Sequence, residues 1–223
     1  MDFVQEYKKF VLEYLYKEYN AGRTPNPDVM CNKFVKFGFW LKAAEKLGFD
    51  YLATGHYANL GKDKDGKMKL FCAKDENKDQ TYFLHQLNQK QLQKTLFPIG
   101  KYTKPEVRKL AQKFKLPTAK KEESMGICFV GEVSMRDFLQ NKVKHKNGDI
   151  VTTGGEKVGT HSGLPFYTIG ERGLNLGGSQ GQPYFVVDKN IKKNVLIVGR
   201  SDDPKLFNKE TVVKNVNWIS GQK

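Results

Sequence analysis

The chain has 223 residues, with 38 Lys plus Arg against 24 Asp plus Glu for a formal charge of +14. Its 39% hydrophobic and 12% aromatic residues can build a core, which excludes a disordered polycation. No run approaches the roughly 20 apolar residues of a membrane span, and the opening MDFVQEYKKF has no apolar signal segment, so a cytoplasmic location without membrane partners is expected.

Apolar residues at Phe3, Val4, Tyr7, Phe10, Val11, Tyr14 and Leu15 predict an amphipathic helix that stops at Ala21 and Gly22. The string AGRTPNPDVMCN (21–32) reads as a stiff loop, because Pro25 and Pro27 fix two φ angles and Asn26 between them is pushed to an extended conformation. A second helix is expected from about Lys33 to Leu47 with Gly48 as its stop, followed by a short buried strand in DYLAT (50–54) that ends at Gly55. That order is the rhythm of an α/β sheet with ligands at its strand ends. Asp65-Gly66 predicts the turn of a hairpin over 57–74, with Cys72 in its core. Thr103-x-x-Glu106 is a capping box with Pro105 in the first turn, opening a helix whose apolar face carries Val107, Leu110, Ala111 and Phe114 and which Leu116-Pro117 closes.

Beyond about Asn141 the chain becomes rich in Gly and in β-branched and aromatic residues. DIVTTGGEKVGTHSG, FYTIGERGL, QPYFVVD, NVLIVG and TVVKNVNWI read as strands of a small β domain.

The chemistry suggested by composition is that of thiols and of a polyanion. Three cysteines, Cys31, Cys72 and Cys128, include no CxxC pair, and with only four histidines neither a disulfide scaffold nor a conventional zinc site is supported. The charge favours a phosphate-bearing partner, the alternative being a lysine-rich surface that only keeps the protein soluble. Cys31 follows Asp28 by three residues, so a thiol at the mouth of a helix stands near a proton-exchanging carboxyl; a structural cysteine beside a turn cap is the other reading. Cys128 lies between Gly126 and Gly131, and His56 follows the strand-ending Gly55. Lys78, Asp79 and Gln80 precede Tyr82 and Phe83, a combination of cation, amide and rings suited to RNA but equally to a solvated helix start.

Taken together, AGRTPNPDVMCN, DYLATGHYA, KDQTYFL, LFPIG with TKPEVR, SMGICFVGE, and GLPFYTIGERGL with PYFVVDK resemble the tRNA-specific 2-thiouridylases, the MnmA or TrmU family, in the family's order across nearly the whole chain. The resemblance implies a truncated Rossmann-like α/β domain of the PP-loop type in residues 1–131, a β-rich central domain in 132–205 and the beginning of a C-terminal β-barrel in 206–223. It implies ATP-dependent 2-thiolation of the wobble uridine of tRNA, with Mg2+ as the counterion of ATP and no protein-bound metal. By the same resemblance Cys128 accepts a persulfide from a sulfur-donor protein, and Cys31 is the nucleophile that releases its sulfur and leaves a transient Cys31–Cys128 disulfide. Asp28 is the acid or base, Gly55 contacts ATP, and Asn26, Pro27, Asp28, His56, Lys78, Asp79 and Gln80 contact tRNA.

The family opens with a strand and a Ser-Gly-Gly-x-Asp-Ser pyrophosphate loop, a string this sequence does not contain. The expectation is a piece of a longer protein, lacking about two βα units and the end of the barrel. Other readings are a tRNA-binding module without catalysis, one half of a split enzyme, and a thiol redox protein.

Overall fold

A computed structural model describes residues 2–121, 135–174, 176 and 182–221. The chain divides into two compact units, one of residues 1–12, 27–132 and 215–223 and one of 13–26 and 133–214.

The first helix runs through Val4–Tyr7, a wider i→i+5 stretch Lys8–Leu12, and Glu13–Asn20. Tyr7, Val11, Leu15 and Tyr19 are its buried positions, one per turn as the apolar stripe requires. It ends as expected: Gly22 takes φ +77°, and the Arg23 amide reaches back to the Glu18 carbonyl at 3.0 Å.

The second helix begins earlier than the prolines suggest, at Pro27–Met30, then continues through an i→i+5 run Cys31–Trp40 and Leu41–Lys46. The expected loop therefore ends at Asn26. The reason is that Pro27 occupies the first helical position, where its missing amide has no intrahelical partner to lose and its fixed φ already suits the helix. Gly48 at φ +83° stops the helix, with the Phe49 amide on the Ala44 carbonyl at 3.0 Å.

In the first unit β1 (Leu52–Ala53) pairs in parallel with β4 (Thr95–Leu96), while β2 (Asn59–Lys62) and β3 (Met68–Phe71) form the antiparallel hairpin expected around Gly66, φ +78°. Phe37, Ala58, Leu84, Leu87, Leu92 and Phe97 make its core, with Leu52, Leu60, Met68, Leu70 and Ile219 packed against it; each fully buried large apolar side chain contributes roughly 1.5–3 kcal/mol. Cys72 is exposed, contrary to expectation, because β3 ends at Phe71 and the alternation that would turn it inward stops there. The capping box at Thr103 is formed, with the Thr103 amide on Glu106 Oε2 at 2.6 Å, and opens the helix Lys104–Lys113. Its apolar face is only half covered, and Phe114 is exposed.

The second unit carries a four-stranded sheet in the order β6 (Lys157–His161), β5 (Gly148–Thr152), β8 (Val195–Gly199), β7 (Phe185–Asn190), antiparallel except for the β5–β8 pair. Ile150, Leu164, Val186, Leu196 and Val198 form its core. Two expected strands are not there. FYTIGERGL contributes a single bridge, Arg172 to Phe185, because Gly170 and Gly173 both take φ +85° and break the extended path. TVVKNVNWI, whose last five residues belong to the first unit, is irregular, with Val212 and Val213 exposed and Asn215 at φ +54°.

Candidate functional site

The described site residues of the first unit gather around three stretches: the start of the second helix, the end of β1, and the loop before a 3-10 turn at Thr81–Leu84. In the helix, Asp28 and Cys31 stand at i and i+3, on one face. Cys31 sits more than one turn inside the helix rather than at its mouth, and its side chain is buried, 1% exposed. The helix dipole falls off within the first turn, so the thiol is further from the exposed amides than the loop reading placed it. Attack on an external sulfur requires that this position first be uncovered.

The next residue, Asn32, escaped the sequence reading. It is 2% exposed, its Nδ2 donates to the Phe83 carbonyl at 3.1 Å, and its Oδ1 has no hydrogen-bond partner among the described residues. Lys33 Nζ reaches Gln86 Oε1 at 3.0 Å, so two successive helix residues hold the 3-10 turn and the residues just after it. Neither link has a local signal, since the partners lie 51 and 53 residues apart.

At the end of β1 the Thr54 amide donates to the Leu96 carbonyl at 3.0 Å, completing the parallel pair. Gly55 comes next, and a Cβ built there meets nothing within 4 Å, so the strand end faces open space. Gly55 lines a cleft of about 390 Å³ together with Lys36, Trp40, Ala53, Thr54, His56 and Gln80. Lys36 and Trp40 continue at intervals of four from Asn32 on the second helix, a spacing that brings them to one side.

His56 is 7% exposed and packs in a triangle with the rings of Phe37 and Phe97, at 5.6 and 5.8 Å from them, with its Nδ1 2.8 Å from Thr54 Oγ1. Burial, and secondarily the charge of Lys36, push its pKa down to about 4, so the imidazole is neutral at physiological pH. It lines the cleft although most of its own surface is covered.

In the loop, Gln80 and Tyr57 exchange two bonds, the Gln80 amide to the Tyr57 carbonyl at 2.8 Å and the Tyr57 amide to Gln80 Oε1 at 3.0 Å. Asp79 accepts from the amides of Ala73 (2.6 Å) and Thr81 (3.1 Å) and from the Thr81 hydroxyl. Burial pushes the Asp79 carboxyl up, but these bonds outweigh it and hold the group below its usual range. Asp79 thus shapes the loop, while Lys78 and Gln80 are half-buried within it. Among the described residues no group of His, Cys, Asp and Glu is placed to hold a metal ion, and no helix is long and apolar enough to cross a membrane. Cys128 lies outside the described residues.

Residues 1–132 match the family model described as the tRNA methyl transferase HUP domain, and residues 136–200 the one described as the tRNA methyl transferase PRC-barrel domain. The chain belongs to this family. The expected architecture, a Rossmann-like domain followed by a small β-rich one, is the family's own order of HUP and PRC-barrel domains. The chain is 49% identical over 226 residues to a protein of Lacticaseibacillus paracasei named tRNA-specific 2-thiouridylase MnmA, which covers 100% of this chain and 60% of that relative. Proteins of the same name from Bacillus cytotoxicus and Limosilactobacillus reuteri are 49% and 47% identical, covering 99% and 98% of this chain and 59% of each relative. The chain therefore spans about 60% of the length of the curated relatives it matches.

Proposed function

We propose that this chain is the larger part of a cytoplasmic tRNA sulfurtransferase that replaces the C2 oxygen of the wobble uridine by sulfur. The observation that carries this reading is the Pro27-initiated helix, which sets Asp28 and Cys31 one turn apart in a chain 49% identical to a named thiouridylase.

In the proposed reaction the Cys31 thiolate attacks the Cys128 persulfide, forming a Cys31–Cys128 disulfide and releasing hydrosulfide. Hydrosulfide adds at C2 and the C2 oxygen leaves; the disulfide is then reduced by two electrons from an external thiol before the next turnover. Asp28, on the face of Cys31, takes and returns the proton at the base. The open strand end at Gly55, with Lys36 as the cation of the cleft, fits the nucleoside and an anionic group of ATP. ATP supplies, when bound, the activation that makes the C2 oxygen a leaving group. Asn26, Pro27, His56 and Lys78–Gln80 each contact the tRNA, a persulfide-carrying protein loads Cys128, and residues 1–131, 132–205 and 206–223 serve as the nucleotide, central and barrel portions.

The test is a Cys31→Ser or Cys128→Ser change in the complete protein of the source cells, with 2-thiouridine measured in digested tRNA. Each change abolishes the nucleoside; full levels in either variant overturn the mechanism. A second reading is a tRNA-binding protein without catalysis. It requires salt-sensitive tRNA binding that survives loss of both thiols.

A further inference from the structure

Tyr82 is the one residue of the turn Thr81–Leu84 that the fold leaves to solvent, 64% exposed, while Leu84 is fully buried and Phe83 half-buried. The turn itself is fixed at both ends. Asp79 holds the Thr81 amide, Asn32 holds the Phe83 carbonyl, and Asn217 Nδ2 donates to the carbonyls of His85 (2.9 Å) and Leu87 (3.1 Å). His85, itself exposed, donates from Nδ1 to the Tyr82 carbonyl at 2.6 Å, which sets its tautomer and places its ring 5.7 Å from that of Tyr82 at 38°. The Phe83 ring meets Tyr82 edge-on at 5.5 Å and 80°. An aromatic surface held this firmly loses little entropy when something flat is laid on it.

We propose that Tyr82, backed by His85, is a stacking platform for one unpaired base of an RNA. The inference rests on the tRNA reading above and extends the RNA side of the site beyond Lys78–Gln80. Every nucleobase has a π face, so a bare ring two residues beyond Lys78–Gln80 takes a splayed base from a single-stranded region regardless of its identity. The charge of +14 supplies the attraction to phosphate that a neutral ring cannot, and a single exposed ring face, unlike an apolar groove, offers a protein side chain little to bury.

The experiment measures the affinity of this chain for an unmodified, end-labelled tRNA transcript by fluorescence anisotropy over a series of salt concentrations. Wild type is compared with Tyr82→Phe, Tyr82→Leu and Tyr82→Ala. Loss of the ring weakens binding about ten-fold or more in the Leu and Ala variants, and Tyr82→Phe stays within about two-fold. The slope of log Kd against log salt is the same in all four, because a neutral ring releases no counterions. Leu and Ala variants that bind as tightly as wild type overturn the platform alone, as does a weakened variant with an altered salt slope, which marks displaced lysines. Equal losses in Phe and Ala also overturn it, because they assign the contact to the hydroxyl. A wild-type chain that binds no tRNA at all overturns the functional reading, and the platform with it.

Discussion

Acidification should destabilise the first unit through His56 by an amount that the geometry sets. The imidazole is buried against Phe37 and Phe97, and its pKa falls from 6.5 to about 4 because burial, aided by Lys36, disfavours the charged form. A depressed histidine stays neutral in the folded chain, while the unfolded chain takes up a proton once the pH drops below 6.5. The folded state is therefore not penalised above that value, and stability is lost progressively as the pH falls from 6.5 towards 4. At about 1.4 kcal/mol per unit the full loss is about 3 kcal/mol, most of it reached by about pH 4.5, or a fall of about 5–10 °C in the unfolding midpoint. Both tryptophans, Trp40 and Trp218, lie in the first unit, so their fluorescence follows its unfolding. Other groups titrate in the same range, and the measured quantity is thus the difference between wild type and His56→Gln at about pH 7.5 and about pH 4.5. His56→Gln should lose less stability than wild type on acidification by about 2.5 kcal/mol; parallel pH profiles for the two proteins would refute the buried, neutral imidazole.

Asp79→Ala removes the acceptor of three hydrogen bonds, including the amide of buried Ala73, and should cost about 2–4 kcal/mol in the same fluorescence assay at neutral pH. Because the folded carboxyl is held below the usual 3.8, its contribution is present above that pH and lost as the pH falls through the folded value, so wild type and variant should converge in strong acid. Thiol alkylation in the native chain should modify exposed Cys72 far faster than buried Cys31, on the order of 100-fold, and denaturant should erase the difference. Mass mapping of the two peptides decides it, and equal native rates would show that Cys31 is open.

What the sequence made legible was local chemistry. Gly22, Gly48 and Gly66 each take the positive φ their positions called for, and Thr103 with Glu106 closes its capping box. Proline was read too simply: its lost donor rules out a helix interior but not a first turn, and Pro27 is a helix start. The strand in FYTIGERGL failed on Gly170 and Gly173, whose freedom to turn left-handed outweighs the β propensity of their neighbours. The site divides the same way. That Asp28 and Cys31 lie close follows from their spacing, but their shared helical face does not, because 21–32 reads as a loop; the Asn32 to Phe83 bond and the Gln80 to Tyr57 pair join residues far apart in the chain. No window of sequence contains both partners, so nothing in the pattern announces them.

The segment expected to begin a barrel shows why a strand pattern is not a strand. A β-branched run gains its hydrogen bonds from a neighbour. Here, in place of a strand, Asn217 and Ile219 meet the loop that follows the 3-10 turn: Asn217 donates to the His85 and Leu87 carbonyls, and Gln89 Nε2 donates to the Ile219 carbonyl at 2.9 Å. Ile219 also packs on the core that contains Leu84 and Leu87. Ending the chain at Lys214 should therefore remove three hydrogen bonds at about 0.5–1.5 kcal/mol each, lowering the stability of the first unit by about 1.5–4.5 kcal/mol before the loss of Ile219 is counted. Trp40 remains as the probe, and amide exchange over 85–89 should accelerate with it. If the shortened chain unfolds at the same midpoint with unchanged exchange there, these bonds do not hold the turn, and the fixed presentation of Tyr82 loses one of its supports.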